Sequence, residues 1–188
     1  MLIKDTKFLF ALNEALGIEG GYSNNEDDPG KATNWGITEA TARRNGFKGD
    51  MKDLSKDEAI EIYYSEYWIK PRFNLIKNGK ISAELFEFGI NAGLHLAVKV
   101  LQRSYNILNK NDIISEDGVL GPITAGKVNN YKFYKSLYKM MNIYQGMYYI
   151  ALAEGDEFLI DNIKHHSKTG GTKFKTFIRG WVDKRVNV

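Results

Sequence analysis

The sequence predicts an all-α protein. Apolar residues recur at helical spacing through most of the chain, and no apolar–polar alternation is long enough to indicate a regular strand. The 188 residues are 43% apolar and 13% aromatic, which is enough to bury a sizeable core in one domain or in two small lobes. No internal repeat or low-complexity linker divides the chain, so we expect one globule.

The first helix is predicted over about residues 5–18, where Phe8, Leu12 and Leu16 share one face. The pair Gly20-Gly21 ends it. Residues 23–37 are rich in turn-forming side chains, and they predict an irregular loop or a small hairpin.

The next helices carry recognisable start and stop signals. Thr38 is placed to cap a short helix that stops at Gly46. Ser55 and Glu58 have the spacing of a capping box, and the helix that follows them is ended by Pro71.

The second half of the chain continues the helical pattern. Ser82 is predicted to cap the helix "AELFEFGIN", Gly93 marks a bend before "LHLAVKVLQRSYNIL", and Pro122 stands at a first helical turn. Three more helices are predicted over about 132–153, 156–166 and 173–186. We expect a catalytic lobe over residues 1–94 and a second helical lobe over 95–188, packed as one globule.

Composition narrows the classes of partner. The net charge of +3 suits an anionic surface such as DNA, a membrane or a cell wall, and it does not require a nucleic acid. The absence of cysteine excludes disulfides, thiol catalysis and cysteine–metal sites. No stretch approaches the roughly 20 apolar residues of a membrane span, so membrane insertion is not expected.

The apolar run near the N-terminus is too short for a signal peptide. Phe8 to Leu12 is followed by Asn13 and Glu14, and no small-residue cleavage site comes after them. We therefore expect this segment to be the first helix of the mature fold. A protein of this kind that acts outside the cytoplasm needs another route of export.

Glu19 lies just past the first predicted helix, in "ALGIEGGY". The negative end of the helix dipole and the apolar neighbours Ile18 and Tyr22 disfavour its charge, which raises its pKa. A carboxyl that keeps its proton near neutral pH is suited to protonate a glycosidic oxygen. The alternative is a solvated surface acid before a Gly-Gly helix end.

A second acidic group follows within ten residues. Glu26, Asp27 and Asp28 lie on the loop, and a glycosidase commonly uses two carboxylates across the scissile bond. The alternative is a plain acidic turn. A calcium loop does not fit, because Pro29 stands where glycine is needed and Trp35 where a bidentate Glu is needed.

The segment "EGGYSNNEDDPGKATNWGIT" resembles the active-site segment of glycoside hydrolase family 108, bacterial and phage N-acetylmuramidases also called secretion activator proteins. The pattern is E-G-G-Y, a short spacer, then D-x-G-G-x-T-x-x-G-I-T. The chain departs from it at Lys31, where the family has glycine. It matches at Glu19, Gly20, Gly21, Tyr22, Asp28, Gly30, Thr33, Gly36, Ile37 and Thr38.

The resemblance extends over most of the chain. "DEAIEIYYSEYW" and "LFEFGINAG" are similar to two helices of the family, with Glu87 standing where Asp is common. "VLQRSYNIL", "DGVLGPIT" and "FIRGWVDKR" are similar to its C-terminal peptidoglycan-binding half, with Lys184 where Arg is common.

This resemblance implies a lysozyme-like fold and hydrolysis of the β-1,4 bond between N-acetylmuramic acid and N-acetylglucosamine. It implies Glu19 as catalytic acid and no cofactor. Asp28 is our choice for the second carboxylate. It would activate water at a separation of about 6.5–9.5 Å, act as nucleophile at about 5 Å, or only orient the loop.

Further residues are candidates for substrate binding. Tyr22, Thr33 and Trp35 are candidates to line a sugar cleft, although Trp35 fits a core position equally well. Asn91 is a candidate to position substrate, or to hold the 23–37 loop.

The C-terminal half offers a candidate wall-binding motif and a pair of histidines. The motif comprises Asp117, Gly118, Gly121 and Thr124. Asp117 is also placed to cap the helix that begins at Pro122, so the motif fits a structural role as well. His165-His166 is expected to be a pair of surface imidazoles, because adjacent helical side chains diverge and no third ligand is near in the sequence; no metal is expected.

Two other functions remain open. A lytic transglycosylase would use the same Glu19 but leave 1,6-anhydro ends, and a non-catalytic peptidoglycan-binding secretion accessory protein would bind without cutting. We expect a monomer that is made in the cytoplasm and acts on peptidoglycan in the periplasm or cell wall. It would leave through a holin, as an endolysin does, or through a secretion apparatus.

Overall fold

The computed structural model describes residues 3–16, 22–24, 32–109, 111–154, 158–160 and 163–165. Over these residues the protein is built mainly of α-helices, as the sequence predicts. The helices are α1 Thr6–Leu16, α2 Glu39–Arg44, α3 Lys56–Ile62, α4 Gly79–Ala92, α5 Leu94–Leu108, α6 Pro122–Asn129 and α7 Tyr134–Glu154.

Shorter elements connect the helices. Two 3₁₀ helices cover Met51–Asp53 and Phe73–Leu75, and a π-helix over Tyr63–Ile69 continues α3. A small antiparallel sheet has the order β1 Ser23–Asn24, β2 Ala32–Asn34 and β3 Ile37–Thr38, so the described residues of the segment predicted as a loop or hairpin include the strands of a short sheet. A second antiparallel pair is β4 Phe158–Ile160 and β5 Ile163–His165.

Helix α4 is the centre of the fold. Its residues Ile81–Gly89 are all buried, and it packs against α1, α5 and α7. Phe8 of α1 meets Phe86 of α4 edge to face, with ring centroids 5.7 Å apart. Trp68 completes this aromatic group, and its Nε1 donates to Asp5 Oδ2 at 2.9 Å. The buried apolar side chains form one cluster that runs from α1 to α7.

Several helix boundaries confirm the sequence signals. Thr38 Oγ1 accepts from the backbone N–H of Thr41 at 3.3 Å and caps α2. Ser55 and Glu58 form the complete capping box of α3, with Ser55 N–H donating to Glu58 Oε2 at 2.9 Å. Gly93 separates α4 from α5 at a φ of 102°.

The predicted cap at Ser82 is wrong. Asn78 caps α4 instead, because its Oδ1 accepts from the N–H groups of Lys80 and Ile81. Ser82 lies one turn into the helix, fully buried, where its hydroxyl donates to the carbonyl oxygens of Asn78 and Gly79. A helix that starts on glycine gives little propensity signal, and the stronger Asn cap decides its start.

The helix predicted over 156–166 is also wrong. Residues 158–160 and 163–165 are paired strands, with Ile160 opposite Ile163. The two residues between them, Asp161 and Asn162, are of types that favour turns, and such a pair between short apolar segments is typical of a hairpin. The helix predicted over 173–186 lies outside the described residues. No helix of the described part is long and apolar enough to cross a membrane.

Candidate active site

The two candidate catalytic carboxylates, Glu19 and Asp28, lie outside the described residues. The structure does describe the elements on either side of each. Helix α1 ends at Leu16, three positions before Glu19, and Tyr22 follows three positions after it. Asp28 lies midway along the chain between Asn24 and Ala32, which are paired across β1 and β2.

The sheet sets one face of the site. In its register, Ser23 lies opposite Thr33, and Thr33 lies opposite Thr38. Directly opposed residues of an antiparallel pair share a face, so three hydroxyl-bearing residues form a row on one face of the sheet. Thr33 was a predicted site residue and Ser23 was not, because the row depends on strand register and not on spacing along the chain.

Asn34 fixes the sheet to the next part of the chain. Its side chain is buried, and its Nδ2 donates to the carbonyl oxygen of Met51 at 2.8 Å and to that of Leu54 at 3.3 Å. The neighbouring Trp35 Nε1 donates to the same Leu54 oxygen at 2.9 Å. Two consecutive side chains therefore hold the 3₁₀ helix Met51–Asp53 against β2.

The turn between β2 and β3 has left-handed backbone geometry. Trp35 has a φ of 53° and Gly36 a φ of 75°. Tyr63 donates its hydroxyl to the carbonyl oxygen of Trp35 at 3.1 Å. Burial raises the pKa of the Tyr63 hydroxyl, and Tyr67 beside it adds to the rise, so this donor keeps its proton throughout the neutral range. The Tyr63 hydrogen bond therefore anchors the turn to the π-helix.

Two lysines lie over the aromatic side chains that were predicted to line a sugar cleft. Lys52 Nζ is 5.4 Å from the ring centroid of Tyr22, and Lys56 Nζ is 5.9 Å from that of Trp35. Tyr22 is 39% exposed, whereas Trp35 is half-buried and packs against the core. Both rings therefore lie at the surface beside the sheet, with positive charge near them.

Asn91 does not contact the sheet through its described hydrogen bonds. Its Nδ2 donates to the backbone oxygen of Glu87 at 2.8 Å and to Glu87 Oε1 at 3.0 Å. These two hydrogen bonds therefore run along α4. The sequence prediction that Asn91 positions substrate remains a prediction, and the contact with residues 23–37 does not appear among these bonds.

Two buried carboxylates on α4 were not identified as a pair from the sequence. Glu84 is 6% exposed and Glu87 is 9% exposed. Glu87 Oε2 accepts a hydrogen bond from Gln145 Nε2 of α7. Burial raises the pKa of Glu84 well above its ordinary value, the charge of Glu87 raises it further, and a hydrogen bond with Asn142 acts in the opposite direction.

A sequence signal for this pair existed. Glu84 and Glu87 are three apart on a helix that is otherwise mostly apolar, and Asn142 and Gln145 repeat that spacing on α7. Matching polar pairs on two apolar helices indicate a buried polar contact between them.

The candidate wall-binding motif in the C-terminal half builds a loop. Asp117 Oδ1 accepts from Gln102 Nε2 at 2.8 Å and from Val119 N–H at 2.9 Å. Gly118 N–H donates to Gln102 Oε1 at 2.8 Å, and a Cβ on Gly118 would lie 2.3 Å from the ring of His95. These contacts fix the loop to α5 and require glycine at this position.

The predicted cap role of Asp117 is wrong. Gly121 precedes α6 without any side-chain cap, and Pro122 fills the first helical position. Asp117 is occupied by Gln102 and Val119 instead. Thr124, the last residue of the motif, is buried in α6.

The described residues hold no group of three or more His, Cys, Asp or Glu side chains that is placed to bind a metal. His165 lies in β5, and His166 lies outside the described residues.

Comparison with known protein families identifies both halves of the chain. Residues 12–93 match the family described as Glycosyl hydrolase 108. This segment of the chain is therefore a glycosyl hydrolase 108 segment. Residues 96–186 match a second family, described as Predicted Peptidoglycan domain.

A solved structure supports the family assignment. The protein of the structure titled "Structure of Brucella abortus SagA" is 27% identical to this chain, with a TM-score of 0.68. The match covers 94% of this chain and 87% of the SagA chain. A search of curated proteins found no match.

The match of residues 12–93 supports a glycoside hydrolase, and the second domain supports peptidoglycan as its substrate. The sheet and the end of α1 belong to the hydrolase segment, whereas the Asp117 loop belongs to the peptidoglycan domain segment.

Proposed function

We propose that this glycosyl hydrolase 108 protein is an N-acetylmuramidase. It hydrolyses the β-1,4 bond between N-acetylmuramic acid and N-acetylglucosamine, with Glu19 as general acid and Asp28 as second carboxylate. The observation that carries the proposal is the β1–β2 pairing, because it ties the chain segments that bear both acids to one small sheet.

Covalent geometry limits how far either acid can lie from that sheet. A chain spans at most about 3.6 Å per residue. The Cα of Glu19 is therefore within about 11 Å of the Cα of Tyr22, and that of Asp28 is within about 15 Å of Asn24 and of Ala32. Two carboxylates at either side of a scissile bond, roughly 5–9.5 Å apart, fit within these limits.

The proposed chemistry divides between the two acids. Glu19 donates its proton to the glycosidic oxygen as the bond to C1 of the muramic acid breaks. Asp28 takes a proton from the water that attacks C1, or attacks C1 itself and is released by water in a second step. The first route inverts the anomeric centre and the second retains it.

Residues of the described sheet supply candidate substrate contacts. The exposed ring of Tyr22 offers a face for a pyranose ring, and Trp35 lies beside the same sheet. The hydroxyls of Ser23 and Thr33 are suited to hydrogen-bond sugar hydroxyl or N-acetyl groups. Lys52 and Lys56, which lie over the two rings, add positive charge near an anionic muramyl group.

We also propose that the two halves of the chain have different functions. Residues 1–94 cut the glycan strand, and residues 95–188 hold the wall. On this proposal the protein acts on peptidoglycan in the periplasm or cell wall, after release through a holin or export by a secretion apparatus.

Loss of turbidity of purified Gram-negative sacculi tests the proposal. Glu19→Gln keeps the shape of the side chain but removes the acid, so we expect the rate to fall by at least about 10²-fold. Glu14→Gln is the matched control, because Glu14 is an exposed acid on α1 five positions earlier. It should clear sacculi like the wild type.

Mass analysis of the released fragments decides the reaction. Reducing muramic acid ends support hydrolysis at the proposed bond, whereas 1,6-anhydro ends would identify a lytic transglycosylase. If the wild-type protein and Glu19→Gln both bind sacculi and neither clears them, the chain is a binding protein and the catalytic proposal fails.

A further inference from the structure

A cleft in the C-terminal half has no role in the site described above. It has a volume of about 600 Å³, within the usual range for a small-molecule site, and it is formed by the end of α5, by α6 and by the residues before α7. Every residue of its lining falls within the segment that matches the Predicted Peptidoglycan domain family.

Aromatic rings form one wall of the cleft. Tyr105 is buried, Tyr131 is half-buried and Phe133 is 66% exposed, so the three rings lead from the core to the surface. Their centroids are 5.3 Å and 5.8 Å apart, and each pair meets edge to face. Ile123 of α6, also lining the cleft, is 76% exposed. Exposed apolar side chains that gather at a cleft commonly mark a binding site.

The charges of the cleft largely cancel. Lys127 forms an ion pair with Asp112, which also accepts from the Tyr105 hydroxyl at 3.1 Å. The hydrogen bond from Lys127 lowers the pKa of Asp112, with that from Tyr105 adding to the effect, so the carboxylate remains ionised and neutralises the lysine. Lys132 is the remaining charged residue among those that line the cleft.

Two amides provide polar contacts beside the rings. Asn109 uses its Nδ2 to donate to the Tyr105 carbonyl oxygen at 2.8 Å, which fixes the amide at the cleft. Asn130 is exposed, and its side chain makes no hydrogen bond with other residues of the described part. A nearly neutral cleft with aromatic faces and amides suits an uncharged, N-acetylated sugar better than a strongly anionic polymer.

The Asp117 motif lies next to the helix that forms one wall of the cleft. The Asp117–Gly118 loop is held on α5 by Gln102, and the chain then passes through Gly121 into α6. Helix α6 supplies Pro122, Ile123, Gly126 and Lys127 to the cleft. The motif therefore positions one wall of the cleft without itself lining it.

We propose that this cleft binds an N-acetylated sugar of the glycan strand, and that it is the site by which the C-terminal half holds peptidoglycan. The exposed face of Phe133 stacks on the sugar ring, and Asn130 hydrogen-bonds its polar groups. The choice of peptidoglycan rests on the proposed function, whereas the preference for an uncharged sugar rests on the lining of the cleft.

The test compares Phe133→Ala with Phe10→Ala, both in the full-length chain. Phe10 is 43% exposed on α1, away from the cleft lining, so its removal controls for the loss of an exposed ring. Each variant is measured for binding to purified sacculi by sedimentation, and for cleavage of short soluble glycan fragments. Circular dichroism confirms that each is folded.

We expect Phe133→Ala to weaken sacculus binding about tenfold, as truncation of an aromatic anchor commonly does. Phe10→Ala should bind like the wild type. Soluble glycan strands without stem peptides should compete for the wild-type cleft. Equal binding by the two variants, or competition only by stem peptides, would overturn the proposal.

This test separates the cleft from the catalytic proposal. If the wild-type protein binds sacculi through Phe133 but cuts nothing, the cleft stands and the muramidase proposal fails. If the wild-type protein cuts soluble fragments and Phe133→Ala binds sacculi normally, the muramidase proposal stands and the cleft proposal fails.

Discussion

The turn at Gly36 gives a sharp test of how the sheet is held. An added Cβ at this position would lie 2.5 Å from the Tyr63 hydroxyl oxygen, and Gly36 has a φ of 75°. Gly36→Ala therefore carries two costs. The left-handed backbone costs about 1 kcal/mol for alanine, and displacement of the Tyr63 hydroxyl from the Trp35 carbonyl oxygen costs about 1–3 kcal/mol more.

A control variant and a second background separate the two costs. Gly46 has a φ of 90°, and a Cβ there would meet no atom within 4 Å, so Gly46→Ala measures the backbone cost alone. In Tyr63→Phe the hydroxyl is absent, and the nearest remaining ring atom, Cζ, is 3.8 Å from the added Cβ. There Gly36→Ala should cost no more than Gly46→Ala.

Urea unfolding followed by tryptophan fluorescence measures the free energy of unfolding of each variant. We expect Gly36→Ala to lose about 2–4 kcal/mol in the wild-type background and about 1 kcal/mol in Tyr63→Phe. The difference is the coupling between the turn and the Tyr63 hydroxyl. An equal loss in both backgrounds would refute the steric argument.

Two further predictions concern stability. Ser55→Ala removes the capping box of α3 and should lower the free energy of unfolding by about 1 kcal/mol in urea titrations, and no loss would mean that Glu58 alone caps the helix. In the folded protein the pKa of Glu84 is raised above its ordinary value of 4.5. The free energy of unfolding should therefore fall as the pH rises from about 4.5 toward the raised pKa. Glu84→Gln carries no such proton, so its unfolding free energy should decline less over that range, and parallel pH profiles would contradict the assignment.

The parts of the fold that the sequence predicted are those with local causes. A capping box needs only Ser55 and Glu58 at the right spacing, and a bend needs only a glycine such as Gly93. The helix start at Asn78 was missed because a nearby serine offered a competing signal. The β4–β5 pair was missed because its strands are three residues long and show too little alternation.

The geometry of the candidate site depends more on tertiary contacts than on local sequence signals. Tyr22, Thr33 and Trp35 were identified as aromatic and hydroxyl side chains suited to a sugar cleft, and their common location follows from the β1–β2–β3 register. The hydroxyl of Ser23, the anchoring of Asn34 and the lysines over the rings arise from residues far apart in the chain. The same is true of the aromatic cleft in the C-terminal half. Spacing along the chain carries no information about these contacts.

Helix α4 shows why the two halves of the chain form one structure. One side of it packs on α1 of the hydrolase segment, and Glu84 and Glu87 meet Asn142 and Gln145 of α7 in the peptidoglycan domain segment. Within the described part of the chain, Oε1 of Glu84 and Oε1 of Gln145 are buried without a hydrogen-bond partner. Such polar contacts add little net stability, but they penalise any other register of the two helices, since a shift would leave more buried groups unpaired. The network therefore fixes how α7 lies on α4, and through α4 it fixes the relation between the hydrolase segment and the peptidoglycan domain segment.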